Sequence, residues 1–416
     1  MAMKFLYRIL AIAAILPAMW AGTSCSKDTP PSNDERSVMI LYSAGFNNLS
    51  WNLEQDIKSL KDGFVPGKGT GKPVLLVVAK SVVGRDYENP APPHMIQVYK
   101  KGKSVILDTV KTYSPTMVLA NAESLRTVLT DIREMYPAKS YGMVFSSHST
   151  GWLPYRYYEH ANEFEGTVDD ELIWSSVKPN TIGAEYGYDE SGHFSDKVIE
   201  EMELEDFAAA FPYRMDYLAM DACLGACVEV AYSLRAVTDY YLSSPAEIMS
   251  SGFDYEKIAQ RLIKEKSPLR VCDDYLTYYQ TVASTKSATI SLVDTRKLGK
   301  LAEVCSRLNS LYASEIAALD IAYVQGFSSG KKQWYFDLED IYRQAGVSQA
   351  DFAALKDALA ECILYEGHTP KYYSGGSMHD IRTCCGLTMF IPQSGGDYLR
   401  NFYKTLSWNQ ATGLVQ

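Results

Sequence analysis

The chain has 416 residues, 47% of them hydrophobic and 22% charged. That is enough apolar surface for a large core, and it excludes both a disulfide-stapled miniprotein and a disordered chain. Forty basic against fifty acidic side chains give a net charge of −10, so nucleic acid, which needs a basic footprint, is excluded as a default partner.

Residues 1–24 differ from the rest. Lys4 and Arg8 precede an apolar run from Ile9 to Trp20, then small residues (Ala21, Gly22, Thr23, Ser24) and Cys25. The run is too short for a comfortable membrane span and suits the core of a signal peptide. The arrangement resembles a bacterial lipoprotein signal with Cys25 as the lipidated residue. Ser26-Lys27-Asp28, in the polar stretch 25–36, resembles the export tether of Bacteroidetes-type surface lipoproteins. What this implies is an exported protein of the bacterial cell envelope, at the outer membrane or cell surface, held to the membrane through its lipid.

Four apolar runs then read as buried strands: Ser37 to Ser43, Pro73 to Ala79, Ser140 to Ser146 and Tyr217 to Met220. Leu49 to Leu60 reads as an amphipathic helix with Leu53, Ile57 and Leu60 on one face. His94–Tyr99 and Ser104–Thr109 alternate around Lys101-Gly102-Lys103, a hairpin pattern. Ala120–Tyr136 and the stretch from Cys223 to Arg235 are helical in pattern. Trp152–Lys197 is irregular, and an insertion of that length suggests a lid, binding loop or cleavage site. Further on, Glu256–Lys266, Leu298–Ala313 and Ala350–Leu364 read as helices, and Ala288–Val293 and Gly386–Ile391 as strands. Strand and helix in alternation predict an α/β fold with a mostly parallel central sheet covered on both faces. The domain reading is a core over 37–255 with the insertion 152–197, and a helical C-terminal region over 256–416 whose late strands complete the fold.

Two buried strands are followed by chemistry-bearing residues. After Phe145 comes Ser146-Ser147-His148-Ser149-Thr150-Gly151-Trp152. After Met220 comes Asp221-Ala222-Cys223-Leu224-Gly225-Ala226-Cys227. Sites in open parallel sheets form at the carboxyl ends of strands, so His148 and Cys223 can face one crevice. A nucleophilic thiol needs such a base, and a helix starting just after Cys223 would lower its pKa further.

The wording of these segments resembles the clostripain family of cysteine peptidases. FSSHSTGW is similar to the family's histidine block. MDACLGACVEVAYSLR is similar to its cysteine block at Asp221, Cys223, Leu224, Glu229, Ala231, Tyr232 and Leu234. Tyr42 to Leu49, Tyr335 to Leu338 and Gly386 to Pro392 look like further blocks, so the resemblance spreads over about residues 37–410. It implies a caspase-like α/β/α sandwich and endopeptidase activity. His148 would be general base and acid, Cys223 the nucleophile, and the backbone N–H groups of Cys223 and Ser149 the oxyanion donors. Ser149 stands where the family usually has Gly, and Ser147 where it often has Asp.

The resemblance also implies cleavage after Arg or Lys in protein or peptide substrates, through a pocket carboxylate at Asp221. Asp254 and Glu247 are candidates for a second pocket acid, and the alternative to the pocket role of Asp221 is capping of the following helix. No cofactor is implied. Calcium is the one metal to consider, at the acid-rich Glu163–Glu171, although a solvated loop is simpler. Some relatives are zymogens, for which Arg156 and Lys178 are the basic candidates in the insertion. Cys227 and the Cys384-Cys385 pair read as packing residues, and His160 and His193 as surface residues. Thirty tyrosines suggest an aromatic surface for peptides or glycans. The alternative function is a catalytically silent lipoprotein that binds peptides or glycans in the same cleft.

Overall fold

The computed structural model describes residues 36–80, 91–155, 157, 181–328 and 333–416. The signal segment, Cys25, Arg156, His160, Glu163–Glu171 and Lys178 lie outside these residues. Among the described residues no helix is long and apolar enough to cross a membrane.

In chain order the strands are β1 (Ser37–Ser43), β2 (Val74–Ala79), β3 (His94–Lys101), β4 (Ser104–Thr112), β5 (Ser140–Ser146), β6 (Ile182–Tyr188), β7 (Phe194–Met202), β8 (Met215–Asp221), β9 (Thr238–Ser243), β10 (Thr289–Asp294), β11 (Phe336–Asp337), β12 (Ile363–His368), β13 (Lys371–Ser374), β14 (Ser377–Asp380) and β15 (Thr388–Met389). Nine of them form one sheet in the order β12-β10-β9-β8-β5-β1-β2-β3-β4. The five central strands, β9 to β2, are parallel to their neighbours. The pairs at both flanks are antiparallel, so the parallel character predicted for the sheet holds at its centre and not at its edges.

The continuous apolar runs are continuous because both faces are covered. Val38, Ile40 and Tyr42 of β1 point into one core and Met39 and Leu41 into the other. The second core is roofed by the helices Ser50–Asp62 and Pro268–Thr281. The first packs against the helices Ala122–Met135, Leu298–Leu311 and Gln349–Cys362. The molecule is thus the α/β/α sandwich predicted.

Several elements differ from the sequence reading. β9 and β12 lie where no strand is predicted. β12 starts directly at the end of a helix predicted to run through Leu364. The strand expected at Gly386–Ile391 contributes only β15, which pairs with β11 outside the main sheet. Part of the irregular insertion is the antiparallel hairpin β6–β7, whose Gly183 and Gly187 break the apolar alternation that signals a strand. After residue 255, β10 and β12 belong to the main sheet and the helices cover both faces. Tyrosines expected at the surface are used heavily inside: Tyr42, Tyr241, Tyr275, Tyr279, Tyr335, Tyr342 and Tyr403 rank among the largest fully buried side chains.

Candidate active site

β5 and β8 are parallel neighbours, and Ser146 pairs with Asp221. Both chains therefore leave the sheet at one level, and His148 and Cys223 each follow two residues later. The Ser147 N–H still donates to the Asp221 carbonyl at 3.3 Å. Beyond it the two loops meet again at Gly151, whose φ is +69°. A Cβ there would stand 2.6 Å from the Leu224 carbonyl and 2.9 Å from Cys227 Sγ, so only glycine lets the loops close this far. Trp152, buried against Phe390 and Tyr403 with ring centroids 4.9 and 5.1 Å away, anchors the histidine loop in the core.

His148 sits where β1 and β5 face each other. The chain runs from β1 to β2 on one side and returns to β5 on the other, which makes this a topological switch point. Its Nε2 lies 2.8 Å from Asn48 Oδ1, an acceptor provided by the turn after β1. That oxygen favours the tautomer protonated at Nε2 and leaves the Nδ1 lone pair free. Burial pushes the imidazole pKa down to about 4, so the ring is neutral at neutral pH. Asn47 is the structural half of the pair: its amide donates to the Ala184 carbonyl at 2.5 Å, and its Oδ1 accepts from Leu49 N–H at 2.7 Å.

The two serines that depart from the family pattern have defined places. Ser147 Oγ donates to the Ala44 carbonyl and accepts from Ala184 N–H at 3.1 Å, joining the ends of β1 and β6 to this loop. Ser149 Oγ donates to the Thr181 carbonyl at 3.0 Å and accepts from Gly151 N–H at 2.9 Å. Its backbone is not left-handed, so no glycine is needed there. Ser149 faces Ile182 in an isolated antiparallel bridge. The bonds of that bridge run from Thr150 N–H to the Thr181 carbonyl and from Gly183 N–H to the His148 carbonyl. Such a non-hydrogen-bonded pair turns the Ser149 N–H away from the hairpin.

Cys223 is half-buried in a turn. The next residue, Leu224, has φ +56°, a conformation that costs a non-glycine residue about 1–2 kcal/mol and that cores hold only under constraint. Here the constraints are Leu224 N–H on the Ala246 carbonyl at 3.0 Å and Ala226 N–H on the Ser244 carbonyl at 2.9 Å. The helix expected directly after Cys223 starts only at Val228, with Cys227 at its N-cap, so no helix dipole acts at the Cys223 sulfur. Cys227 is fully buried, as a packing residue would be, with Sγ 3.4 Å from the Leu224 carbonyl. The group that meets the Cys223 sulfur is instead the backbone of Ile248: its N–H donates at 3.4 Å, and its carbonyl lies 3.8 Å from Sγ. Burial first, then Glu247 and Asp221, push the thiol up to about 12, against the pull of the Ile248 N–H. A neutral thiol and a neutral imidazole are thus the resting forms.

The acids sort themselves by partner. Asp221 is buried at the end of β8, and its Oδ2 accepts from Tyr255 Oη–H at 2.6 Å and Phe253 N–H at 3.5 Å. With the next helix starting at Val228, helix capping does not account for it. Asp254 pairs with Lys257 at 2.7 Å. Glu247 is clasped by the Ser374 hydroxyl and raised by burial to about 8, and it directly precedes Ile248, whose backbone meets the Cys223 sulfur. Asp56, on the helix Ser50–Asp62, is also raised, by burial first and then by the charge of Asp221. The sequence reading missed Asp56, Asn48 and the Ile248 backbone. Asn48 had a sequence signal, as the second asparagine ahead of a helix. Among the described residues no group of three or more His, Cys, Asp or Glu could hold a metal ion, and the described cysteines are free thiols. His193 is a surface residue, as expected.

Comparison with known proteins fits this geometry. The family model described as the clostripain family matches residues 180–412, more than half of the chain, beginning after the histidine block. Clostripain of Hathewaya histolytica is 23% identical over 262 residues, which cover 57% of this chain and 44% of that protein. The match thus spans less than half the length of that curated relative. An inactive zymogen C11 protease from Parabacteroides distasonis superposes with a TM-score of 0.73 at 26% identity, covering 92% of this chain and 99% of the other. A secreted C11 cysteine protease from Bacteroides thetaiotaomicron, iotapain, shares the fold with a TM-score of 0.72 at 21% identity, covering 91% and 99%.

Proposed function

The chain belongs to the clostripain family, and from that premise we propose that it is a cysteine endopeptidase that cuts after arginine or lysine through Cys223 and His148. The observation that carries this reading is the convergence, at the carboxyl ends of two adjacent parallel strands, of a thiol, an imidazole and a buried carboxylate, Asp221, whose described partners are all neutral. A buried carboxylate without a cation is costly, and the side chain of a basic substrate residue supplies one.

Because thiol and imidazole rest neutral, proton transfer accompanies attack. His148 Nδ1 takes the thiol proton as Sγ adds to the scissile carbonyl carbon. The resulting oxyanion is received by the N–H groups of Ser149 and Cys223. The intermediate collapses, the C–N bond breaks, and the proton on Nδ1 passes to the departing amine, leaving a thioester on Cys223. Water then gives a proton to His148 and adds to the thioester. Expulsion of the sulfur, reprotonated by His148, releases the carboxylic acid product. Asn48 holds the ring in register throughout. A cationic side chain beside Asp221 also cancels part of the field that raises the Cys223 thiol, so the right substrate helps activate its own nucleophile.

The Cys25 reading extends the proposal to a lipid-anchored envelope protein. Hydrolysis of fluorogenic peptides that differ only at the residue before the bond tests the specificity. Arg and Lys peptides are expected to be cleaved with kcat/KM roughly 100-fold or more above a norleucine peptide. Equal rates would remove the basic pocket. No hydrolysis of any peptide would favour the silent-binder alternative.

A further inference from the structure

We propose that Asp56 is a second carboxylate of the pocket for the basic side chain, so that one guanidinium or ammonium group is shared between Asp56 and Asp221. This rests on the peptidase reading above and adds to it a residue on a different element.

The helix Ser50–Asp62 buries Ser50, Leu53, Asp56 and Leu60. Its sequence pattern centres the apolar face on Leu53, Ile57 and Leu60, yet Ile57 is only partly buried while Asp56 is 8% exposed. An acid has been turned inward where an isoleucine was available. Among the described residues the Asp56 carboxyl makes no hydrogen bond and no ion pair. Its oxygens are not among the fully buried polar atoms that lack a partner, so the carboxyl keeps a small opening to solvent while no described side chain holds it.

The helix that carries Asp56 packs against the element that partners Asp221. The helix Tyr255–Ala259 packs against the helix Ser50–Asp62 closely enough that a Cβ on Gly63 would lie 1.8 Å from the Glu256 carbonyl. The Tyr255 hydroxyl on that helix is bonded to Asp221 Oδ2. Tyr255 and Tyr279 both lie in the fields of Asp56 and Asp221. Asp56 and Asp221 are each raised, chiefly by burial and, for Asp56, also by Asp221. Gly252, at φ +54°, closes the Asp221 side so tightly that a Cβ would lie 2.3 Å from Oδ2. Asp56 lies six helical residues past Ser50, about 9 Å along the axis, which sets it deeper than the end of β1. Two buried acids with no cation between them suit a long cationic side chain entering from the cleft. The five donors of a guanidinium can serve both carboxylates at once.

The test measures binding of N-acetyl-arginine amide and N-acetyl-norleucine amide by calorimetry in the Cys223→Ala background, which removes turnover from the readout. Asp56→Asn is added, and Asp221→Asn in parallel. The inference expects Asp56→Asn to lower the arginine-over-norleucine affinity ratio roughly 10- to 100-fold. The thermal midpoint should hold or rise, because the substitution relieves an unpartnered buried acid. An unchanged ratio with Asp56→Asn, while Asp221→Asn collapses it, overturns the inference and leaves the specificity reading standing. An unchanged ratio in both variants overturns both. A lowered thermal midpoint with equal weakening of both probes marks Asp56 as structural and also overturns it.

Discussion

Cys223→Ala is expected to lower kcat/KM on Arg and Lys peptides by at least about 10⁴-fold, to the floor of the assay. Three features of the site set this size. On the proposed mechanism the Cys223 sulfur forms the thioester, so alanine removes the reaction path and not merely a contact. No neighbouring thiol can substitute, because Cys227 is fully buried with its sulfur against the Leu224 carbonyl. The fold does not depend on the thiol: Cys223 sits in a turn whose shape is held by Leu224 and Ala226 backbone bonds. The variant should therefore keep its thermal midpoint within a few degrees while losing its chemistry. His148→Ala should cost a similar factor, and the double variant little more than either single one, since the two act as a unit. Steady-state kinetics with circular dichroism melts checks all of this. Residual activity within tenfold of wild type in Cys223→Ala would place the nucleophile elsewhere.

Asp221→Asn is expected to reduce kcat/KM on Arg and Lys peptides by roughly 10²–10³-fold, while a norleucine peptide loses far less. Asparagine keeps the shape and can still accept from Tyr255 and Phe253, so the change removes charge and little else. The pH dependence gives a second reading of the same group. Burial raises the Asp221 carboxyl above the ordinary carboxylate range, so its charged form exists only above that raised value. Cleavage after Arg must fall as pH drops through it, before the imidazole protonates near pH 4. A norleucine peptide does not need the charge, and its acid limb should follow His148 alone. In Asp221→Asn the Arg limb should lose the step that belongs to Asp221. Equal losses on basic and neutral substrates, or acid limbs that coincide already in wild type, would refute the pocket assignment.

Much of this site was legible in the sequence because strand ends are legible. SYGMVFS and YLAM are buried on both faces, so their apolar runs show where β5 and β8 stop, and His148 and Cys223 follow at once. Their in-register exit at Ser146 and Asp221 is a property of the sheet and could not be read from either run alone. The helix at Cys223 was misread for a physical reason. LGACVEVAYSLR has helical periodicity, but Leu224 takes a left-handed backbone so that the chain can bond to Ser244 and Ala246 on the β9 side, and tertiary contacts override propensity. β12 was hidden behind a helix whose apolar spacing at Leu355, Leu359 and Cys362 carries on into Ile363. Asp56 was invisible for the opposite reason: a single acid on an amphipathic helix reads as solvent-facing until the roof above it is known. The lipoprotein reading of residues 1–36 rests on sequence alone, Arg36 apart lying outside the described residues.

The central claim, a competent Cys223 nucleophile served by a pocket for a basic side chain, is tested most directly by covalent labelling. Wild type, Cys223→Ala and Asp221→Asn are incubated with peptidyl chloromethyl ketones ending in lysine or norleucine, and the adduct is located by peptide mass spectrometry. The expected result is a single adduct on Cys223, formed faster with lysine than with norleucine, absent in Cys223→Ala and slowed for lysine alone in Asp221→Asn. An unlabelled Cys223 in wild type, or labelling of another cysteine at the same rate in the presence and absence of Cys223, would contradict it.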